Sequence, residues 1–309
     1  MKLLFVSNSD RVDAWRRVFA DQAPEIEFVD AREPHEPDAI DFALVWQYPP
    51  GALKAYRNLK LVSSLGAGID HLLRDSDFPA HVPFVRLVDS TLTDGMVEYA
   101  LWATLRYHRQ MVEYAGFQAA SDWHPLPAPT TRQRRVGVAG IGQIGGAVAR
   151  AIRNLGFDVA GWSRSAKAHG DIPIYVGRAD WPEFLSRTEI LICILPLTPA
   201  TTGLLDAACF AALPRGAFVV NIARGLHLVE ADLLAALDNG HLAHATLDVT
   251  APEPLPPESR LWQHPKVTLT PHIASLTDPN TAAPQVIDNI RRCVAGKPLA
   301  NVVDRANGY

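Results

Sequence analysis

The sequence has only three cysteines, no long apolar run and little net charge. Cys193, Cys209 and Cys293 are odd in number and far apart, which argues against a disulfide framework and favours reduced thiols in a cytoplasmic protein. No stretch reaches the roughly 18 apolar residues that a membrane-spanning helix needs. A net charge of −4 gives no general attraction for nucleic acid or an anionic membrane. We therefore expect neither nucleic acid nor membrane as a partner.

The 309 residues, 48% of them hydrophobic, are enough for about two domains. Short apolar segments alternate with helical patterns along the whole chain, which is typical of a parallel sheet covered by helices. The strand candidates are residues 3–6, 26–29, 43–46, 61–65 and 84–87, and then 136–139, 158–161, 190–195, 218–222, 245–249 and 267–270. One long helix is predicted over 93–119 and a last one over 279–295.

This alternation predicts an α/β fold with two doubly wound, Rossmann-like domains and a cleft between them. We expect the last helix to return to the first domain. The first domain would then be discontinuous, a flavodoxin-like, substrate-binding domain over 1–93 and 277–309. The second, over 94–276, would be a Rossmann domain.

A glycine-rich turn follows the first strand of the second series. The segment has the pattern G-x-G-x-x-G, and an amphipathic helix and a further strand come after it. This context predicts a dinucleotide-binding turn, because the glycines allow a tight turn, close approach of the pyrophosphate and packing of the helix on the strand. The helix N-terminus would offer N–H groups to the phosphates. The expected cofactor contacts are Gly140, Gly142, Gln143, Ile144 and Gly145.

The end of the next strand indicates which dinucleotide is bound. NAD enzymes usually place Asp or Glu there to accept hydrogen bonds from the ribose hydroxyls. This chain has Arg164 between Ser163 and Ser165, with Lys167 close behind, and it has no carboxylate at that place. A guanidinium flanked by hydroxyl groups suits a 2′-phosphate. The segment therefore predicts NADP, used as NADPH.

Three candidate catalytic residues lie at or just beyond later strand ends: Arg224, Glu253 and His272. Reduction of a 2-keto acid needs a proton donor for the carbonyl oxygen, which suits His272, and a cation for the carboxylate, which suits Arg224. Glu253, bonded to the far ring nitrogen, would fix the ring and stabilise its protonated form. Taken one at a time, each residue also has an ordinary structural explanation.

The surroundings of these three residues resemble the D-2-hydroxyacid dehydrogenase family, and the resemblance covers essentially the whole chain. It rests on the segments 221–225, 247–255 and 271–274, in that order after the glycine turn. A closer resemblance, to the bacterial glyoxylate/hydroxypyruvate reductase A group of that family, rests on 65–70, 162–164, 253–259 and the tail 303–309. The resemblance implies that Arg224 binds the substrate, that His272 is the general acid and that Glu253 pairs with it.

The resemblance also implies roles for further residues. Pro196 matches a loop under the cofactor, and Asp248 would lie at the nicotinamide end of its site. Further cofactor contacts are expected from Ile222 and Ala223. Substrate would be bound by the backbone of Gly66, Ala67 and Gly68. Trp46 is predicted to form a wall of the substrate pocket, with a core tryptophan as the alternative. Trp123 resembles a residue that reaches a partner subunit's active site, with a simple dimer or surface contact as the alternative.

The predicted function is NADPH-dependent reduction of glyoxylate to glycolate and of hydroxypyruvate to D-glycerate, by a homodimer. Reduction of larger 2-keto acids such as phenylpyruvate stays open, because the sequence does not give the pocket volume. A non-catalytic, dinucleotide-sensing protein also stays open, because such a protein could keep the same three residues. Formate or phosphite oxidation fits the Glu–His pairing less well. His241 and His244 lack a supporting cluster of ligands, so no metal site is expected.

Overall fold

The computed structural model describes residues 1–7, 10–166 and 169–304. The chain divides into two compact units, one formed by residues 1–92 and 276–309 and the other by residues 93–275. Each unit contains a sheet of parallel strands with helices, so the α/β prediction is confirmed.

The strands, in chain order, are β1 (Lys2–Val6), β2 (Glu27–Asp30), β3 (Phe42–Val45), β4 (Leu61–Ser64), β5 (Phe84–Val85), β6 (Arg135–Ala139), β7 (Asp158–Ser163), β8 (Ile174–Val176), β9 (Ile190–Cys193), β10 (Ala217–Asn221), β11 (Leu242–Leu247) and β12 (Val267–Leu269). The α-helices are α1 (Val12–Gln22), α2 (Asp70–Leu73), α3 (Ser90–His108), α4 (Met111–Ala119), α5 (Gln143–Asn154), α6 (Trp181–Ser186), α7 (Ala207–Ala212), α8 (Glu230–Asp238) and α9 (Pro279–Val294).

The sheet of the first unit has the order β2-β1-β3-β4-β5, with all neighbours parallel. This is the flavodoxin-like order, and its direction reverses at β1. The residues of β3 and β4 are all buried, as expected for strands covered on both faces. Helix α9 buries one apolar face in the core of this unit, through Ala282, Ala283, Val286, Ile287 and Ile290.

The sheet of the second unit has the order β12-β11-β10-β9-β6-β7-β8, again with parallel neighbours. Strand β6 lies between β7 and β9, so the strand order reverses at β6 as in a dinucleotide-binding sheet. Because the strands are parallel, the loops after β6, β7, β9, β10, β11 and β12 all leave the same edge of the sheet. Ligands bind outside this edge in open α/β sheets.

Capping residues explain where helix α9 begins and where helices α5 and α9 end. The Asp278 side chain accepts a hydrogen bond from the Asn280 N–H at 2.9 Å and caps α9, and Pro279 occupies its first turn. Gly296, with φ of +63°, follows the end of α9. Gly156, with φ of +91°, follows α5 in the same way. Both helices are therefore followed by a glycine in the left-handed region.

Two predictions of secondary structure were wrong. The single helix expected over 93–119 is two helices, because Gln110 adopts a left-handed conformation with φ of +56° and interrupts the helical hydrogen bonds between α3 and α4. Strand β8 was not predicted, because it is a three-residue strand of partly buried residues that lacks a periodic pattern. No helix in the described part of the chain is long and apolar enough to cross a membrane.

Candidate active site

The glycine turn joins β6 to α5, and the requirement for glycine differs among its three positions. Gly140 has φ of +108°, and a Cβ there would lie 2.6 Å from the Ile194 carbonyl oxygen. A Cβ on Gly145 would lie 1.8 Å from the Gly140 carbonyl oxygen. The fold itself therefore requires glycine at both positions. A Cβ on Gly142 would meet nothing within 4 Å, so the protein alone does not require glycine there.

The space beside Gly142 fits a dinucleotide pyrophosphate. Helix α5 begins at Gln143, and the first N–H groups of a helix lack acceptors within that helix. A negative group beside Gly142 would accept hydrogen bonds from them and benefit from the helix dipole. The predicted contacts Gln143 and Ile144 lie in this first turn.

Arg164 follows β7 directly and is exposed, which suits a 2′-phosphate at the end of that strand. The hydroxyl of Ser163 donates to the carbonyl oxygen of Ser165 at 2.5 Å, so Ser163 holds the turn that carries Arg164. Ser165 is exposed. Lys167 lies outside the described residues. The residues present at the glycine turn and at Arg164 therefore fit a phosphorylated dinucleotide.

The loops after β9 and β10 leave the sheet beside the glycine turn. Pro196 is exposed, and its carbonyl oxygen accepts a hydrogen bond from the Thr201 hydroxyl at 2.8 Å. Ile222 and Ala223 are buried in the core of the second unit. Contacts of these two residues with a cofactor would therefore be made through their backbone.

Arg224 is partly buried, and its Nη1 donates to the Ala223 carbonyl oxygen at 2.7 Å. The Arg224 carbonyl oxygen accepts a hydrogen bond from Asn221 Nδ2 at 3.0 Å, which fixes the loop at its base. A Cβ on Gly225 would lie 1.9 Å from the Thr250 carbonyl oxygen. Glycine is thus required at 225 for the Arg224 loop to pack against the loop that leads to Glu253.

Glu253 and His272 form the predicted pair. Glu253 Oε2 lies 2.9 Å from His272 Nδ1, and Glu253 Oε1 accepts a hydrogen bond from the Thr250 N–H at 3.1 Å. Burial raises the pKa of the Glu253 carboxyl, but the hydrogen bond and charge of His272, the Thr250 N–H and the charge of Arg224 outweigh it, and the net pKa is lowered. The structure therefore places Glu253 and His272 in contact, and the charge of Arg224 acts on Glu253.

Asp248 holds the loop that carries His272. Its buried carboxylate accepts hydrogen bonds from the Thr270 hydroxyl at 2.6 Å and from the N–H groups of Ile273 and Ala274 at 2.8 Å. Its carbonyl oxygen accepts the His272 N–H at 2.8 Å. His272 is thereby kept at φ of +57°, a conformation that few side-chain-bearing residues adopt. The geometry gives Asp248 a positioning role, and its contact with the cofactor stays a prediction.

The predicted substrate residues of the first unit follow β3 and β4. A Cβ on Gly66 would lie 2.7 Å from Trp46 Cζ3, so the indole packs directly against this loop. Ser64 holds the loop, since its hydroxyl accepts from the Gly66 N–H at 3.3 Å and donates to the Gly68 carbonyl oxygen at 3.2 Å. Ala67 lies between them and is partly buried.

Trp123 lies in the second unit, in the segment that follows α4, and its side chain is 100% exposed. This exposure agrees with either alternative drawn from the sequence, a contact with a partner subunit or a surface position. Among the described residues, no group of three or more His, Cys, Asp or Glu side chains is arranged to hold a metal ion.

Comparison with known proteins identifies the family. The family model for the D-isomer specific 2-hydroxyacid dehydrogenase, NAD binding domain, matches residues 101–274. Glyoxylate/hydroxypyruvate reductase A from Salmonella newport (strain SL254) is 43% identical over 274 residues, which cover 87% of this chain and 88% of that protein. The chain belongs to the D-isomer specific 2-hydroxyacid dehydrogenase family.

Solved structures of this dehydrogenase family are similar over the whole chain. A D-isomer specific 2-hydroxyacid dehydrogenase from Xanthobacter autotrophicus Py2, in complex with NADPH and MES, has a TM-score of 0.94 and 42% identity, covering 100% of this chain and 99% of that chain. The NADPH-dependent glyoxylate/hydroxypyruvate reductase from Sinorhizobium meliloti, in complex with NADP and sulfate, has a TM-score of 0.93 and 38% identity, with 100% of both chains covered. The predicted family and fold are therefore confirmed.

Two residues that support the site in this dehydrogenase, Tyr99 and Thr270, were not predicted. Tyr99 on α3 shares a hydrogen bond of 2.5 Å with the Thr270 hydroxyl, which in turn donates to Asp248. Burial raises the pKa of Tyr99 to about 12. Thr270 directly precedes Pro271 and His272, and its position at a strand end was a signal that could have identified it. Nothing in the sequence links Tyr99 to a residue so distant in the chain.

Proposed function

We propose that this protein is an NADPH-dependent reductase of small 2-keto acids, converting glyoxylate to glycolate and hydroxypyruvate to D-glycerate. The observation that carries the proposal is the His272–Glu253 pair with Arg224 beside it, on the sheet edge that also carries the glycine turn. The names of the relatives, glyoxylate/hydroxypyruvate reductase from Salmonella and from Sinorhizobium meliloti, support the same substrates.

The proposed mechanism assigns one task to each of three side chains. The Arg224 guanidinium binds the substrate carboxylate and polarises the adjacent carbonyl group. His272 gives its proton to the carbonyl oxygen through Nε2, the ring nitrogen opposite the one that faces Glu253. Glu253 keeps the ring oriented and stabilises its positive charge before the transfer. Bound NADPH supplies the hydride for the substrate C2.

The chain's own residues would hold NADPH at three places. The N-terminus of α5 and the open space at Gly142 would take the pyrophosphate, and Arg164 would take the 2′-phosphate. The backbone of Pro196, Ile222 and Ala223 would lie along the cofactor. The NADPH- and NADP-bound relatives support the choice of this cofactor over NADH.

The predicted substrate residues of the first unit lie in one loop region. The Trp46 indole packs so closely against Gly66 that no side chain fits between them. We propose that Trp46 limits the size of the substrate and that the backbone of Gly66, Ala67 and Gly68 binds its carboxylate. Reduction of phenylpyruvate at a comparable rate would favour the larger-substrate alternative.

We also propose that the protein is a homodimer in the cytoplasm. Large apolar side chains on α3, on α4 and after α4 are exposed, namely Trp102, Leu105, Met111 and Trp123. Exposed apolar surface of this kind is typical of a protein–protein interface. The cytoplasmic location is supported by three free cysteines, two of them buried. Light scattering coupled to size-exclusion chromatography tests the oligomeric state, and a monomeric mass at micromolar concentration would contradict the dimer.

The function is tested by following the dihydronicotinamide absorbance with purified protein. Glyoxylate, hydroxypyruvate and phenylpyruvate are each assayed with NADPH and with NADH. We expect the highest kcat/KM for the two small keto acids with NADPH. Tight NADPH binding without turnover of any 2-keto acid would contradict a reductase and favour the dinucleotide-sensing alternative.

A further inference from the structure

A completely buried histidine lies three residues beyond Arg224. His227 ends the short 3-10 turn Gly225–His227, and its side chain has 0% exposure. Burying an imidazole without hydrogen-bond partners costs free energy that an apolar side chain of similar size would not. The partners of the buried ring therefore indicate what the histidine does.

The two ring nitrogens of His227 face two different loops of the sheet edge. Nδ1 lies 3.0 Å from the Arg224 carbonyl oxygen, and Nε2 lies 3.3 Å from the Pro196 carbonyl oxygen. A carbonyl oxygen only accepts hydrogen bonds, so a neutral ring donates to one of these two oxygens, depending on its tautomer, and is in contact with the other. One side chain thus joins the loop after β10, which carries Arg224, to the loop after β9, which carries Pro196.

Backbone hydrogen bonds join the two segments on both sides of these residues, and before them the Ile222 N–H donates to the Cys193 carbonyl oxygen at 3.2 Å. The Gly203 N–H donates to the Leu226 carbonyl oxygen, and the Leu205 N–H donates to the His227 carbonyl oxygen, both at 2.9 Å. Between these backbone hydrogen bonds, the His227 imidazole lies between the Pro196 and Arg224 carbonyl oxygens. A displacement of either loop would therefore change a contact of the same ring.

We propose that His227 is a positioning residue that couples the cofactor loop at Pro196 to the substrate loop at Arg224. The inference rests on the proposed function, which gives Pro196 to the cofactor and Arg224 to the substrate. The contact of the His227 ring with the Pro196 carbonyl oxygen fixes the loop on which NADPH lies. The contact of the same ring with the Arg224 carbonyl oxygen fixes the backbone that carries the guanidinium, which binds the keto acid.

Two conservative variants separate the two contacts. In His227→Asn, the amide nitrogen takes the place of Nδ1 and keeps the contact with the Arg224 carbonyl oxygen, while the contact with the Pro196 carbonyl oxygen is lost. In His227→Gln, the amide nitrogen reaches the place of Nε2 and keeps the contact with the Pro196 carbonyl oxygen, while the contact with the Arg224 carbonyl oxygen is lost. His227→Leu removes both, and His241→Asn is the matched control, because His241 Nε2 also faces a carbonyl oxygen, that of Leu213 at 3.1 Å.

The readouts are the NADPH dissociation constant, from equilibrium fluorescence titration without substrate, and the kcat and KM for glyoxylate at saturating NADPH. We expect His227→Asn to weaken NADPH binding by about threefold to tenfold, the size of one hydrogen bond, with the glyoxylate KM near wild type. We expect His227→Gln to raise the glyoxylate KM and lower kcat by a similar factor, with NADPH binding near wild type. His227→Leu should show both effects, and His241→Asn neither.

Other patterns would overturn the proposal. Equal losses of both properties in the Asn and Gln variants, together with a lowered Tm, would show that His227 only packs. Wild-type values in either the Asn or the Gln variant would show that one of the two contacts is without effect. Absence of wild-type turnover on glyoxylate and hydroxypyruvate would instead contradict the proposed function, and this measurement is made first so that the two failures are distinguished.

Discussion

Glu253 Oε2 lies 2.9 Å from His272 Nδ1, while the other Glu253 oxygen accepts the Thr250 N–H at 3.1 Å. Burial raises the pKa of Glu253, but the charge and hydrogen bond of His272 and the other donors lower it below its usual 4.5. The carboxylate is therefore ionised throughout the neutral range, and it always acts as the acceptor for the ring. In the proposed mechanism, the proton given to the substrate therefore comes from Nε2, the ring nitrogen that does not face Glu253.

Glu253→Gln should change the pH profile of keto acid reduction. Glutamine keeps the size of the side chain but removes the negative charge that stabilises the imidazolium. We expect the fall of kcat/KM with rising pH to begin at lower pH in the variant, and kcat/KM near pH 7 to decrease by about tenfold or more. Glu183→Gln on α6, at an exposed position, is the control. Superimposable profiles for Glu253→Gln and wild type would remove Glu253 from the mechanism.

The same pair should contribute to stability in a pH-dependent way. A carboxyl whose pKa is lower in the folded state contributes stability that is fully present above its unfolded pKa and is lost as the pH falls through the folded value. Because the Glu253 pKa is lowered from 4.5, wild type should have a higher Tm than Glu253→Gln from about pH 5 upward. The two Tm values should converge as the pH falls below about 4.5. A Tm difference that is constant down to pH 3 would contradict this assignment.

Arg224→Ala should reduce kcat/KM for glyoxylate by about 100-fold to 1000-fold, because it removes both the carboxylate contact and the polarising charge. Arg224→Lys should recover only part of this loss, since lysine keeps the charge but lacks the planar fork. The exposed Arg215 is a suitable position for the control variant Arg215→Ala. Steady-state kinetics give the comparison, and wild-type kcat/KM in Arg224→Ala would show that another group binds the substrate.

Much of the fold and of the candidate site can be predicted from short-range patterns in the sequence. The glycine turn is identifiable because two of its glycines, Gly140 and Gly145, are imposed by the fold and the third by the ligand that it is expected to bind. The alternation of strand and helix patterns is sufficient to predict parallel sheets, because βαβ crossovers require it. The pairing of Glu253 with His272 was predicted from the chemistry and from the family resemblance, and the structure places the two side chains in contact.

The features that were missed depend on contacts between distant parts of the chain or on single backbone conformations. Tyr99 reaches Thr270 across 171 positions, and no local pattern indicates that bond. Gln110 breaks the long helix through a left-handed conformation that glutamine rarely adopts, whereas a glycine there would have marked the break. The role of His227 depends on the packing of two loops that follow different strands.

Arg164→Asp should move the cofactor preference from NADPH toward NADH. The substitution removes the cation expected to bind the 2′-phosphate and introduces a carboxylate that repels phosphate and accepts hydrogen bonds from the ribose hydroxyls. We expect the ratio of kcat/KM for NADPH to that for NADH to fall by about 100-fold. Arg215→Asp makes the same charge change at another exposed position and should leave the ratio unaltered. If Arg164→Asp keeps the wild-type preference, the 2′-phosphate is bound elsewhere.

Gly142→Ala tests whether glycine at this position is required for folding or for cofactor binding. A Cβ at Gly142 would have no neighbour within 4 Å, and the residue has an ordinary φ of −93°, so we expect the free energy of unfolding to change by less than about 0.5 kcal/mol. The same methyl group would occupy the space into which the pyrophosphate approaches. We therefore expect NADPH binding, measured by fluorescence titration, to weaken by about tenfold or more.

Two further glycine variants complete this test. Gly145→Ala should prevent stable folding, because its Cβ would lie 1.8 Å from a backbone oxygen. Gly116→Ala, in the middle of α4 with no neighbour within 4 Å, should leave NADPH binding unchanged and raise the free energy of unfolding by about 0.5–1 kcal/mol. If Gly142→Ala binds NADPH as tightly as Gly116→Ala does, the pyrophosphate does not approach the turn at this residue. The glycine at 142 would then have no explanation in either the fold or the cofactor.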